Sequence, residues 1–153
     1  GGRLARGGTL DQDVLLALLH NPYFAKTPPK SLDRDDFADA IQSVSGLSAE
    51  DGAATLSAFS VAAIVHGQEH FPEPAKRWLV CGGGRLNGTL MELMTRSLGT
   101  PVDPIEAVDL NGDALEAQAF AFLAIRSFYG MPLSLPGTTG APRPLNGGIL
   151  YES

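Results

Sequence analysis

Three consecutive glycines constrain the fold of this chain more than any other feature of its sequence. They are Gly82, Gly83 and Gly84, and they follow the short apolar run at 77–81. Such a run predicts a buried strand, and residues 88–97 carry apolar side chains at helical spacing. The chain is therefore expected to pass from a strand through a glycine turn into the first turn of a helix.

The segments on either side of this turn predict an α/β fold. Helices are expected at 14–19, after a capping box from Thr9 to Gln12, and at 33–44, 49–69 and 113–129. A second, weaker strand is expected at 101–105, and residues 1–8 are expected to form a turn-like lead-in. Helices alternating with strands indicate an α/β domain. Two strands rarely make a stable sheet, so we expect helices packed on an incomplete sheet in a fragment of a longer protein.

Composition makes several partners and sites improbable. Eleven basic and seventeen acidic side chains give a net charge of −6, which offers no general attraction to nucleic acid or anionic lipid. The single cysteine, Cys81, excludes an intrachain disulfide and is expected to be a small buried residue. The longest uncharged stretch lies between Gly52 and Glu69, and it is too short and too polar to cross a bilayer.

The glycine turn is the first candidate site. Glycines allow a ligand to approach the backbone closely, and unpaired amides at a helix start bind anionic or polar groups. The sequence matches neither the G-x-G-x-x-G nor the G-x-x-x-x-G-K-[ST] phosphate loop. A tight turn that needs positive φ angles is the structural alternative.

Glu116 is the second candidate. It shares a helix face with Ala119, Phe120 and Leu123, and a carboxylate on an apolar face is costly unless it is paired or lies in a site. Asp113 and Glu116 also have the spacing of a capping box, so Glu116 could instead return to the start of its helix. The two roles are compatible.

Two further patterns carry alternatives. His66, Glu69 and His70 follow the H-x-x-E-H order of a class of zinc peptidases, but a five-residue pattern arises easily by chance, and a polar helix end is the favoured interpretation. Lys30 and Arg34 lie beside two prolines, where they could hold an anion or simply face solvent.

Taken in order, the segments of this chain resemble those of anhydro-N-acetylmuramic acid kinases. The resemblance extends from about residue 15 to residue 151. The matching segments are His20-Asn21-Pro22-Tyr23-Phe24, Pro28-Pro29-Lys30-Ser31, Leu79-Val80-Cys81-Gly82-Gly83-Gly84 with Asn87, Gly112-Asp113, Glu116-Ala117-Gln118-Ala119-Phe120-Ala121, Thr139-Gly140-Ala141 and Gly147-Gly148-Ile149-Leu150-Tyr151.

The resemblance implies a cytoplasmic, two-domain, actin-like ATPase with ribonuclease-H-like domains. Such a kinase uses ATP and Mg²⁺ to hydrolyse the 1,6-anhydro ring of anhydro-N-acetylmuramic acid and to phosphorylate O6, in peptidoglycan recycling. The chain, residues 1–153, would be its C-terminal, nucleotide-side domain. The phosphate loop and the catalytic aspartate would lie in an N-terminal half before Gly1, which would leave the fragment inactive alone. The family also suggests a homodimer.

By the same resemblance, Gly82, Gly83 and Gly84 look like a nucleotide-binding turn near adenosine, with Asn87 as its companion at the helix start. Glu116 looks like a carboxylate that faces the sugar. No catalytic residue and no metal ligand is expected within the chain. The alternatives are a zinc hydrolase that uses His66, Glu69 and His70, and a non-catalytic scaffold or interaction domain.

Overall fold

The computed structural model describes residues 1–151, the side chain of Arg34 excepted. The fold is α/β and mostly helical, with one small parallel sheet. The α-helices and strands, in chain order, are α1 (Arg3–Gly7), α2 (Gln12–Leu19), α3 (Asp39–Ser43), α4 (Ala49–Gly67), β1 (Trp78–Val80), α5 (Gly88–Leu98), β2 (Val102–Pro104), α6 (Leu115–Phe128) and α7 (Pro136–Thr139). Short 3-10 helices occupy Arg34–Phe37, Gln68–His70, Gly83–Leu86 and Ile105–Val108.

Helix α4 is the central element, and it contacts α1, α2 and α5. It begins at a serine cap, where the Ser48 hydroxyl accepts a hydrogen bond from the Asp51 amide at 3.1 Å. Thr55 is fully buried, donates its hydroxyl to the Asp51 carbonyl at 2.8 Å and accepts the Asp11 amide at 3.0 Å. These bonds fix the chain before α2 against the first turns of α4.

Two apolar clusters lie on successive stretches of α4. The first is built from Leu15, Leu18, Ala40 and Phe59, with the rings of Phe24 and Phe37 packed against it. The second is built from Val61, Met94 and Leu98, with Trp78, Val80 and Val102 packed against it. The second cluster therefore joins the sheet to α4 and α5.

Strands β1 and β2 are parallel and are joined by α5. Trp78 pairs with Val102 and Val80 with Pro104. The Arg77 guanidinium also meets the Asp103 carboxylate, with 2.8 Å between Nε and Oδ2. Within residues 1–151 the sheet has two strands, as the sequence predicted, and it is consistent with part of a larger kinase-like domain. A ribonuclease-H-like topology is not established by two strands.

Helix α6 and the segment after it form the most exposed part of the chain. The described residues of α6 include no buried side chain, and Phe120 and Phe128 are 64% and 67% exposed. Two side chains of the helix bond to the terminal segment, residues 129–151. Arg126 Nε donates to the Pro132 carbonyl at 2.7 Å, and the Ser127 hydroxyl donates to the Gly147 carbonyl at 2.6 Å.

Several local predictions were wrong. Residues 3–7 form a helix rather than a turn-like lead-in, because Gly8 lets α1 approach α4 closely; a Cβ at Gly8 would lie 2.0 Å from the Glu50 carbonyl oxygen. The capping box at Thr9 is absent from α2, since Asp11 is its cap and accepts the Val14 amide at 2.9 Å. The helix expected at 33–44 divides into the 3-10 helix Arg34–Phe37 and α3.

The helices at 49–69 and 88–97 were predicted to within two residues of their observed ends. The structure describes no helix in residues 1–151 that has both the length and the hydropathy needed to cross a membrane.

Candidate functional site

The glycine turn has the form that the sequence predicted. After β1 the backbone reaches Gly82 with φ 67° and ψ −171°, a conformation that side chains with a Cβ rarely adopt. Residues Gly83–Leu86 then form a 3-10 turn, and Asn87 caps α5 by accepting the Leu90 amide at 3.1 Å. Gly82 and the 3-10 turn thus connect the end of β1 to the start of α5.

Arg85 projects from this turn and links it to two later segments. Its Nη1 donates to the Gly82 carbonyl at 2.9 Å, its Nε to Glu106 at 2.8 Å and its Nη2 to Asp113 at 2.7 Å. The Arg85 side chain is only 5% exposed, although both carboxylates face solvent on their other sides. An arginine fork with two carboxylates and a carbonyl fixes direction as well as distance.

The same arginine requires a glycine beside it. Gly112 is buried, and a Cβ there would lie 2.3 Å from Arg85 Nε. The Gly112 amide in turn donates to Glu106 Oε1 at 3.2 Å. Glu106 therefore accepts hydrogen bonds both from the Arg85 guanidinium and from the backbone of the loop that leads into α6.

The charges of this cluster shift two pKa values. Hydrogen bonds from its own backbone amide, from Arg85 and from the Gly112 amide outweigh partial desolvation and hold the pKa of Glu106 below its ordinary value. Hydrogen bonds to Asp113 first, and to Glu106 second, raise the pKa of Arg85. Both pKa shifts favour the ionised forms of Arg85 and Glu106.

A cavity of about 600 Å³ opens between the glycine turn and the start of α6. Its lining comprises Cys81, Gly82, Gly83, Gly112, Asp113, Leu115, Glu116 and Ala119. Two of the predicted nucleotide-side glycines, Gly82 and Gly83, therefore meet the predicted sugar-side residue, Glu116, in one cavity. Cys81 was expected to be buried, but it is exposed and lines the same cavity.

Gly84 and Asn87 do not belong to the described lining of this cavity. Gly84 faces Leu90, whose Cδ2 would lie 3.5 Å from an added Cβ. Asn87 lies beside Gly2, where a Cβ would come within 2.1 Å of the Asn87 Oδ1. The structure thus gives both residues a packing and capping position behind the turn, and their part in nucleotide binding stays a prediction.

The capping alternative for Glu116 was wrong. Helix α6 begins at Leu115, its N-cap is Ala114, and no side chain caps it. The Asp113 carboxylate bonds to Arg85 instead of to the helix start. Glu116 is exposed in the first turn of α6, at the cavity wall.

The other candidate patterns meet in a second, smaller cavity of about 370 Å³ whose lining includes Lys30, His66 and His70. Lys30 is already engaged: its Nζ donates to the Tyr23 carbonyl at 3.1 Å and lies 4.4 Å from the centre of the Tyr23 ring. His66 pairs with Glu69 at 3.5 Å. Among the described residues no group of three or more His, Cys, Asp or Glu side chains could hold a metal ion, so the zinc alternative has no support there. The Arg34 side chain lies outside the described part.

Sequence reasoning assigned no role to Arg85, Glu106 or Gly112. Arg85 follows the three glycines directly, but a charged side chain in a turn usually faces solvent, so its position alone did not indicate burial or a partner. Its partners lie 21 and 28 residues further on, and sequence spacing does not reveal such pairs.

Comparisons with known proteins agree with one another. The family model described as anhydro-N-acetylmuramic acid kinase matches residues 1–153. The chain is 60% identical over 152 residues to the Anhydro-N-acetylmuramic acid kinase of Rhodospirillum rubrum, covering 99% of this chain and 40% of that relative. Proteins with the same name from Paramagnetospirillum magneticum and Ruegeria sp. are 57% and 51% identical, over 96% and 98% of this chain and 42% and 40% of theirs.

The chain therefore spans about two fifths of the length of the curated relatives it matches. The comparisons do not bear out the expected C-terminal position of the chain within such a kinase.

Proposed function

Because this chain belongs to the anhydro-N-acetylmuramic acid kinase family, we propose that it is one part of an ATP-dependent sugar kinase and forms the nucleotide-side wall of its cleft. One observation carries the proposal. The Gly82–Gly83 turn and Glu116 face the same cavity, so a backbone surface without side chains lies beside a carboxylate. Such a pairing suits a ligand that combines a flat or polar group with hydroxyls.

Each lining group has a distinct part in this proposal. At Gly82 and Gly83, the missing side chains let the adenosine end of ATP approach the backbone closely. The Glu116 carboxylate accepts hydrogen bonds from hydroxyls of the sugar and orients it. Gly84 and Asn87 lie outside the described cavity lining and fix the start of α5 against the turn.

The reaction proposed for the whole kinase joins a hydrolysis to a phosphoryl transfer. Water adds to C1 of anhydro-N-acetylmuramic acid, the 1,6-anhydro bond breaks, and O6 receives the γ-phosphoryl group of ATP. The products are N-acetylmuramic acid 6-phosphate and ADP. Mg²⁺ bound with ATP would neutralise charge on its phosphates. The phosphate loop and an aspartate that activates the water are proposed to lie outside this chain, and the kinase to act in the cytoplasm in peptidoglycan recycling.

Three observations support a role as one part of a larger protein. The relatives are much longer than this chain. The described sheet has two strands, whereas stable sheets usually have three or more. Leu79 on the sheet, and Phe120 and Phe128 on α6, are exposed large apolar side chains that another part of the kinase could cover. We propose that the complete domain is ribonuclease-H-like and that the kinase is a homodimer.

The decisive variant is Gly83→Val in the kinase that carries this chain. No heavy atom of the described residues lies within 4 Å of an added Cβ at Gly83, so the valine fits the fold but occupies the cavity. Overpacking costs about 1–3 kcal/mol, so the Kd for ATP should rise by about fivefold to 150-fold. Calorimetric titration with ATP measures it.

Gly46→Val is the matched control, because an added Cβ at Gly46 also meets nothing within 4 Å and that residue lies away from the cavity. An unchanged ATP Kd in folded Gly83→Val would refute the assignment of the glycine turn to the ATP-binding wall. A folded whole protein that binds no ATP would instead favour the non-catalytic scaffold. The isolated chain should show no kinase activity. Detectable turnover by it would contradict the proposal that the phosphate loop and the catalytic aspartate lie outside this chain.

A further inference from the structure

Arg85 joins the two walls of the cavity without lining it. One wall is the glycine turn, which Arg85 holds through the Gly82 carbonyl at 2.9 Å. The other is the loop before α6, which it holds through Asp113 at 2.7 Å. Between them, Glu106 accepts both Arg85 Nε and the Gly112 amide. One side chain thus connects residues that are about thirty positions apart in the chain.

The fit around Arg85 is tight on the side of the second wall. Gly112 has no room for a Cβ, which would lie 2.3 Å from Nε, 2.7 Å from Cζ and 2.8 Å from Cδ of Arg85. The guanidinium therefore packs directly on the backbone that precedes Asp113 and Glu116. This contact restrains the backbone segment as long as Arg85 keeps its position.

Helix α6 has few other anchors near its start. It has no side-chain cap within the described residues, and the hydrogen bonds of its last turn go to the terminal segment. The position of Glu116 relative to the glycines consequently depends on the Arg85 contacts. A bidentate or tridentate arginine holds direction, which a single ammonium does not.

We infer that Arg85 is a positioning residue of this kinase, one that sets the distance between the nucleotide-side turn and Glu116. The inference rests on the proposed function for its kinetic consequence, whereas the coupling of the two walls stands on the contacts alone. Arg85 does not reach the cavity lining, so it acts through Gly82, Gly112 and Asp113.

Arg77 offers a matched control. Its Nε lies 2.8 Å from Asp103 Oδ2, the same separation as that between Arg85 and Glu106, and it joins the residue before β1 to β2. Neither Arg77 nor Asp103 belongs to the described cavity lining. Arg77→Ala therefore removes an arginine–carboxylate pair of similar geometry without touching either wall.

The first readout is amide hydrogen exchange, and it needs no ligand. Arg85→Ala should speed exchange in two separate segments, 85–87 and 112–116, while Arg77→Ala should leave both unchanged. In the first segment the Arg85 and Asn87 amides donate to the Gly82 and Gly84 carbonyls, and in the second the Gly112 and Asp113 amides donate to Glu106 and Asn111. Arg85→Lys keeps the charge but lacks the fork, so it should speed exchange at 112–116 as well. Exchange that rises in only one segment, or in neither, would overturn the inference whether or not the protein is a kinase.

The second readout separates positioning from simple loss of folded protein. Variants are compared in the whole kinase by steady-state kinetics with ATP and anhydro-N-acetylmuramic acid. A displacement of about 1 Å in a site can cost about a hundredfold in rate, so kcat/KM should fall on that scale in Arg85→Ala, with a higher KM for ATP. Loss of folded enzyme alone would lower the apparent kcat and leave KM unchanged, and that result would also overturn the inference. A wild-type protein without kinase activity would refute the proposed function, while the exchange experiment would still decide the coupling.

Discussion

Gly112→Ala should destabilise the protein without altering any charge. The new methyl carbon would lie 2.3 Å from Arg85 Nε and 2.7 Å from Cζ, well inside van der Waals contact. Arg85 is held by three partners, so it cannot swing aside as a free side chain would. Overpacking of this kind costs about 1–3 kcal/mol, whereas alanine at an open, compatible glycine position commonly stabilises by about 0.4–1 kcal/mol.

Urea unfolding followed by Trp78 fluorescence measures the difference. The protein has a single tryptophan, and its ring stacks on Phe71 with 5.6 Å between ring centres, so its emission reports the loss of packing at β1. Gly46→Ala is the control, since an added Cβ there meets nothing within 4 Å. If Gly112→Ala proved as stable as Gly46→Ala, the close packing of Arg85 on the loop before α6 would be refuted.

Two further predictions concern the helix cap and the charged cluster. Asn87→Ala should lower the free energy of unfolding by about 1 kcal/mol and Asn87→Ser by only a few tenths, measured by urea unfolding; equal losses would contradict the capping bond to Leu90. The lowered pKa of Glu106 stabilises the fold fully above the ordinary glutamate value, about 4.3, and this contribution is lost as the pH falls through the lower pKa of the folded state. The stability gap between wild type and Glu106→Gln, followed by urea unfolding, should therefore be widest above the ordinary glutamate pKa and should close as the pH falls below it; a gap that does not change with pH would contradict the ionic role of Glu106.

The strand, the turn and α5 could be predicted because their signals are local. An apolar run, three glycines and helical spacing occur within one stretch of sequence, and β1 and α5 lie where that stretch indicated. The Gly82 φ of 67° is the positive angle that the structural alternative required. Gly82 therefore fits both interpretations, because it forms the tight turn and also lines the cavity.

Contacts between distant segments could not be predicted in the same way. Asp113 had the spacing of a helix cap, but Arg85 binds its carboxylate, and a bond to a guanidinium outweighs a cap. Helix α4 shows the same dependence on distant contacts. Its buried positions include Thr55 and Phe59, which are set by the Asp11 amide and by the aromatic cluster with Phe24.

The charges at the cavity indicate which parts of the ligands this wall of the proposed kinase binds. Its lining carries the carboxylates of Asp113 and Glu116, and Arg85 behind it is already paired with Asp113 and Glu106. This wall therefore offers little positive charge to a triphosphate, which two nearby carboxylates would repel. It suits neutral parts of the ligands, namely the adenosine and the sugar hydroxyls. Under the proposal, the charge of the phosphates must then be balanced by Mg²⁺ and by groups of the kinase outside this chain, so that neither part alone binds both ends of ATP.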